Sequence, residues 1–153
     1  MYKSIVNKTI TSLFGILIIT AIVLPFLLKS LGFHPDFESQ KYNLDGKKVL
    51  IIASSHAVLN MPGETRGKPT GVASSELTVP YYEFLNSGMQ VDLASTQGGK
   101  IPIDPETLLY FIRTSSDEKF QSDTKAMKKL NNSLLIDDVD FTDYDLIFIA
   151  GGW

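Results

Sequence analysis

Residues 47–53 read KKVLIIA. This short, β-branched apolar run follows the turn residue Gly46 and lacks alternating polar positions, which is the pattern of a strand covered on both faces in a parallel sheet. Met89–Ser95, MQVDLAS, and Asp145–Ala150, DLIFIA, resemble it. Between the first two runs lies Thr78–Ser87, TVPYYEFLNS, where Val79, Tyr82 or Glu83, and Leu85 fall at helical spacing. Thr78 is placed to cap that helix, Pro80 suits a first turn, and Gly88 supplies the stop. Strand, helix, strand in a parallel sheet implies a right-handed crossover that lays the helix on the sheet face.

Farther along, Ser115 followed by Glu118 is a capping-box signature and predicts a helix over residues 116–130. Lys125, Lys128 and Lys129 fall in its later turns, where cations complement the helix dipole, and read as a solvated helix end. The fold class is α/β: a doubly wound parallel sheet, a flavodoxin-like sandwich, whose sites form beyond the carboxyl ends of the strands. Three strands and two helices make a thin core. The domain is therefore expected to be incomplete, to continue past Trp153, and to expose apolar sheet surface.

Ahead of this part, Thr9–Leu28 (TITSLFGILIITAIVLPFLL) carries no charge. At 1.5 Å per helical residue, its roughly 20 residues cover about the 30 Å of a bilayer core. The run shows no polar stripe of a soluble helix and exceeds the apolar core of a signal peptide, although Ser30-Leu31-Gly32 offers small residues for cleavage after Gly32. It reads as an uncleaved single-pass anchor, with Pro25 either inside it or marking its exit. The organisation is then an anchor (1–32), a polar tether (33–46, FHPDFESQKYNLDG) and a domain (47–153). Lys3 and Lys8 flank one end of the helix and Lys29, Lys41, Lys47 and Lys48 follow the other. That count does not fix orientation, and the lean is to an extracytoplasmic domain because Asp36 and Glu38 lie close to the second end.

Charge and composition exclude several function classes. Lys3, Lys8 and Lys29 are the basic residues of the first 32, which hold no acid, so 11 of the 14 basic residues face all 17 acids in the remainder. That part, at net −6, is a poor partner for nucleic acid. With no cysteine there is neither a disulfide framework nor a thiolate metal site. His34 and His56 are the only histidines, leaving little for a Ser/His/Asp or Cys/His system. One histidine without a second ligand at regular spacing is not a metal site. Gly63–Pro69 lacks the Gly-Lys-Ser/Thr ending of a phosphate loop and reads as a surface loop at a pocket rim. Tyr81, Tyr82 and Phe84 read as helix packing residues, with one tyrosine exposed. No internal repeat is visible.

The order KKVLIIASS, then KPTGVASSELTVPYYEFLNSGMQVDLASTQGGKIPIDPETL, then DYDLIFIAGGW, resembles the ThiJ/PfpI family of class I glutamine-amidotransferase-like proteins, in its glyoxalase and chaperone-like branch. The likeness covers residues 46–153, about the first half of such a domain. It rests on Thr70-Gly71 with Glu76 and Pro80, on Gly98-Gly99 to Asp104-Pro105, and on Gly151-Gly152 after an apolar strand.

The resemblance implies a catalytic carboxylate at Glu76 beside a nucleophilic cysteine, and an oxyanion hole to which Gly151 and Gly152 lend backbone amides. His56, which follows the first strand on the same edge of the sheet as Glu76, reads as a polar loop histidine before it reads as a pocket-rim residue. Trp153 would stand at that rim, where many relatives have histidine. The family's cysteine and histidine follow the Gly-Gly loop, so this chain alone is expected not to perform thiol chemistry. A longer form is implied to act on small reactive carbonyl compounds, in a glyoxalase or deglycase manner, without metal or organic cofactor. A non-enzymatic chaperone or interaction domain, and an amidotransferase-like or peptidase activity, are the alternatives. The partners implied are the bilayer through residues 9–28 and a small carbonyl substrate, with no nucleic acid and a homodimer left open.

Overall fold

The computed structural model describes residues 2–31, 42–64 and 66–151. Two compact units divide at residues 39 and 40. The first contains α1, Tyr2–Ser30, with Pro25 inside it. Its stretch Asn7–Ser30 is 24 residues long, unburied, and long and apolar enough to cross a bilayer. Residues 33–41 of the expected tether lie outside the described residues.

The second unit is α/β with a parallel sheet. In chain order it holds β1 (Lys48–Ala53), β2 (Val58–Leu59), β3 (Lys68–Pro69), α2 (Ser74–Asn86), β4 (Gln90–Ser95), α3 (Ser115–Ser122), α4 (Thr124–Asn131), β5 (Leu134–Leu135) and β6 (Leu146–Ile149). The main sheet runs β5-β4-β1-β6, all parallel. β2 and β3 form a separate antiparallel hairpin, so the glycine-rich loop expected over 63–69 ends in strand.

Alternation along the strands sorts the core. Val49, Ile51 and Ala53 of β1 and Val91 and Leu93 of β4 are buried against Leu77, Tyr81 and Tyr82 of α2, Phe120 of α3, and Ala126 and Leu130 of α4. Both tyrosines are buried, where one was expected in solvent, because each packs edge-on against Phe120 with ring centres 5.2 and 6.2 Å away. Leu50 and Ala94 point the other way and are also buried, whereas Ile147 and Ile149 on that second face are exposed. Residues 136–144 return along this side with no more than 3-10 turns, and Tyr144 donates its hydroxyl to Asp92 at 3.3 Å. Among the described residues, helices cover one sheet face and not the second.

Three helix boundaries differ from expectation. α2 begins at Ser74, a turn before Thr78. Thr78 is no cap: its hydroxyl donates to Asp117 in the core at 2.6 Å. Pro80 therefore sits inside α2 and deprives the Glu76 carbonyl of its usual helical donor. The cap of α3 is Thr114, in a capping box with Asp117 rather than Ser115 with Glu118. The single helix expected over 116–130 is broken at Asp123, whose Oδ1 accepts the amides of Lys125 and Ala126 and starts α4. These bonds, with the Tyr82 hydroxyl, hold the Asp123 carboxyl below its usual range. Lys129 is also more than a solvated end, since its Nζ reaches Asp92 at 2.8 Å and the Val91 carbonyl.

Candidate functional site

The site is built on a backbone clasp. Val72 donates its amide to the Pro102 carbonyl at 2.9 Å, and Asp104 returns its own to the Val72 carbonyl at 3.0 Å. The Thr70 hydroxyl donates to Asp104 Oδ2 at 3.1 Å. Gly71 lies where the two segments touch: a Cβ there would stand 2.2 Å from the Pro102 carbonyl oxygen, so a side chain has no room. The Thr70-Gly71 and Asp104-Pro105 signatures are thus two halves of one device.

The clasp fixes the start of α2. Asp104 Oδ1 accepts the Glu106 amide at 2.8 Å and opens a 3-10 turn, Pro105–Leu108. Thr107 in that turn accepts the Ser74 amide on its Oγ1 at 3.0 Å, and the Ser74 hydroxyl donates to the Thr107 carbonyl at 3.2 Å. Ala73, at the N-cap position, offers no side-chain bond, so Thr107 does that work from outside the helix. Sequence reasoning missed Thr107, although a threonine three residues after Asp104 is a turn signal.

Glu76 is the third residue of α2. Its carboxylate is exposed and makes no hydrogen bond or ion pair among the described residues, and the amino end of a helix favours its negative charge. Gly151 follows β6 with φ +92°, a backbone conformation that suits glycine, and a Cβ on it would lie 3.7 Å from Val72 Cγ2. Gly151 therefore comes against the residue that carries the clasp, four positions before Glu76. β1 leads to β4 on one side and the chain later returns to β6 on the other, so this is the reversal point of the sheet, where ligands of open α/β folds bind. Gly152 and Trp153 lie outside the described residues.

His56 belongs to a different feature, an open cleft of about 370 Å³ at the ends of β1 and β4. Ser54, Ser55, Thr96 and Gln97 line it with His56. Its walls are tied by the Ser55 amide to Thr96 Oγ1 at 3.1 Å and the Gln97 amide to Ser55 Oγ at 2.9 Å. Among the described residues no group of three acidic, histidine or cysteine side chains is placed to hold a metal ion.

No family model matches the sequence. Two glutathione-independent glyoxalases of Schizosaccharomyces pombe do, one at 33% identity over 109 residues and the other at 31% over 110. The chain belongs to the ThiJ/PfpI family. Solved structures place the ThiJ/PfpI fold on the same region. The Rapid Encystment Protein 24 kDa of Francisella tularensis matches at 34% identity with a TM-score of 0.60, and glyoxalase III of Candida albicans at 26% with 0.57. Each match covers 69% of this chain and 44% of the solved one. The S. pombe matches cover 70% and 69% of this chain, which spans 44% and 42% of those relatives' length.

Proposed function

We propose that this ThiJ/PfpI chain supplies the proton-handling and oxyanion side of a thiol-dependent, glyoxalase-type site for small reactive carbonyls, held at a membrane by residues 9–28. Residues 1–32 serve as anchor, 33–46 as tether and 47–153 as the first part of a flavodoxin-like domain. The observation that carries the reading is the clasp: it spends Gly71, Thr70, Asp104 and Thr107 on fixing the first turn of α2, yet among the described residues it leaves the Glu76 carboxylate without a partner. Such support around an uncommitted acid suits a group that exchanges a proton with a thiol and a carbonyl oxygen. Gly151 and Gly152 donate backbone amides to the oxygen that gains charge as sulfur attacks the carbonyl carbon. The sulfur lies outside these 153 residues, which contain no cysteine.

The test is methylglyoxal consumption. The chain by itself is expected to leave the aldehyde untouched. A version extended to the length of its relatives, with a cysteine, is expected to consume it, and Glu76→Gln in that version to lose about 10²-fold or more. Unchanged turnover in Glu76→Gln would remove Glu76 from the mechanism.

A second reading, a chaperone-like or interaction domain, is favoured by the exposed Ile147 and Ile149 on the second sheet face. Suppressed aggregation of an unfolding client by the chain alone, lost in Ile147→Ser/Ile149→Ser, would select it.

A further inference from the structure

Between the 3-10 turn and α3, residues 109–112 read Leu-Tyr-Phe-Ile, and all four side chains are 43–62% exposed. Four consecutive large apolar side chains in water are what a soluble surface avoids. The turn that presents them is closed, because the amides of Ile112 and Arg113 both donate to the Leu109 carbonyl, at 2.9 and 3.0 Å. At its base Arg113 pairs with Glu118 at 3.0 Å, and its guanidinium carbon lies 5.6 Å from the centre of the Tyr110 ring. An apolar crown with an aromatic hydroxyl and a cation beside it matches the layering of a lipid–water interface: hydrocarbon, then aromatic belt, then phosphate.

A second observation names the occupant. Ten residues, 32–41, separate the end of the described helical segment from the start of the described domain, and even fully extended they reach about 40 Å. If residues 7–30 cross a bilayer, the domain never leaves the neighbourhood of its surface, and the lipid is present at high effective concentration. Chain connectivity thus favours lipid over a second copy, which has to be met by diffusion.

We propose that Leu109–Ile112 insert into the lipid–water interface of the membrane that residues 7–30 anchor, so that the domain rests on the bilayer. This rests on the anchor reading above. Because Thr107 in the preceding turn holds Ser74, the contact also keeps the start of α2 and Glu76 close to the membrane surface. The interaction is shallow and peripheral, in the manner of interfacial anchors.

The absence of cysteine makes the test clean. Phe111→Cys, Leu17→Cys and Lys125→Cys, each in the full chain and labelled with an environment-sensitive fluorophore, are reconstituted into phosphatidylcholine–phosphatidylglycerol vesicles. Brominated lipids then report depth. The expected result is a blue shift and a gain of about twofold or more at 111, quenched by shallow bromines. The label at 17 is quenched by deep bromines, and the label at 125 stays water-like. Water-like emission at 111 with quenching at 17 overturns the proposal and leaves the anchor standing. Absence of quenching at 17 overturns the anchor, and this proposal with it. A shift at 111 that follows protein concentration in lipid-free detergent also overturns it, and names a second copy as the occupant.

Discussion

β1 and β6 are parallel neighbours of nearly the same composition, KVLIIA and LIFI, yet they live in different solvents. Val49, Leu50 and Ile51 are fully buried, while Ile149 is 73% exposed. β1 has a strand on each side and helices over Val49, Ile51 and Ala53. Among the described residues, β6 pairs on one edge only, and its Ile147 and Ile149 face no helix. An apolar, β-branched run makes a strand wherever it can pair; burial depends on the elements placed around it.

The largest expected effect comes from breaking that contrast directly. Ile51→Ala removes a fully buried side chain and should cost about 2–5 kcal/mol in denaturant unfolding of the detergent-solubilised chain. Ile149→Ala should stay within about 0.5 kcal/mol, because its side chain already meets solvent. Equal costs at the two sites would mean that β6 is covered in solution. Next comes Gly71→Ala, which forces a methyl group onto the Pro102 carbonyl and should cost about 1–3 kcal/mol. Amide exchange should rise first at Val72 and Ser74, since the clasp opens before the sheet does.

A smaller, sharper effect is expected at the buried Thr78–Asp117 bond. Thr78→Val leaves Asp117 with its partners in Thr114 and should cost about 1 kcal/mol, whereas Asp117→Ala also undoes the cap of α3 and should cost more. Thermal unfolding of the two variants orders them. The reverse order would show that the buried hydroxyl, and not the cap, ties α2 to α3.

How much of this was legible beforehand differs by region for the same reason. β1, β4 and β6 were readable because each is a local apolar run with turn residues around it. Thr70-Gly71 and Asp104-Pro105 were readable as signatures, but their joint action was not, because the Thr70–Asp104 hydrogen bond crosses 34 positions of sequence. Thr78 has the chemistry of a cap and was assigned as one; a partner 39 positions away redirected its hydroxyl. Lys129 was read as a solvated helix end, and its contact with Asp92, 37 positions away, overrode that local reading. Asp123 was missed although its cap is local, its Oδ1 accepting the amides two and three positions on. Glu76 was singled out by its motif alone, and no local physical signal separates it from an ordinary acid at a helix start.

The smallest effect sits where the two strands are pinned together. Asp145 precedes β6; its Oδ1 accepts a hydrogen bond from Lys47 Nζ at 2.8 Å, and its Oδ2 accepts the Lys48 amide at 2.8 Å, at the entrance to β1. The Lys47 bond first, and the Lys48 amide after it, hold the Asp145 carboxyl below the ordinary 3.8. A carboxyl depressed in the folded state contributes stability above its unfolded value and loses it as pH falls through the folded value. The clip should therefore be fully present near neutrality and fade below about pH 3.8. Being exposed, the Lys47–Asp145 ion pair should also weaken when salt is raised to about 1 M, where screening acts within about 3 Å. Asp145→Asn should flatten the acid limb of the stability profile and leave the cost of Ile51→Ala unchanged at every pH. If Asp145→Asn instead shifts that cost, the edge and the centre of the sheet are one cooperative unit, and burial at β1 depends on how β6 is held.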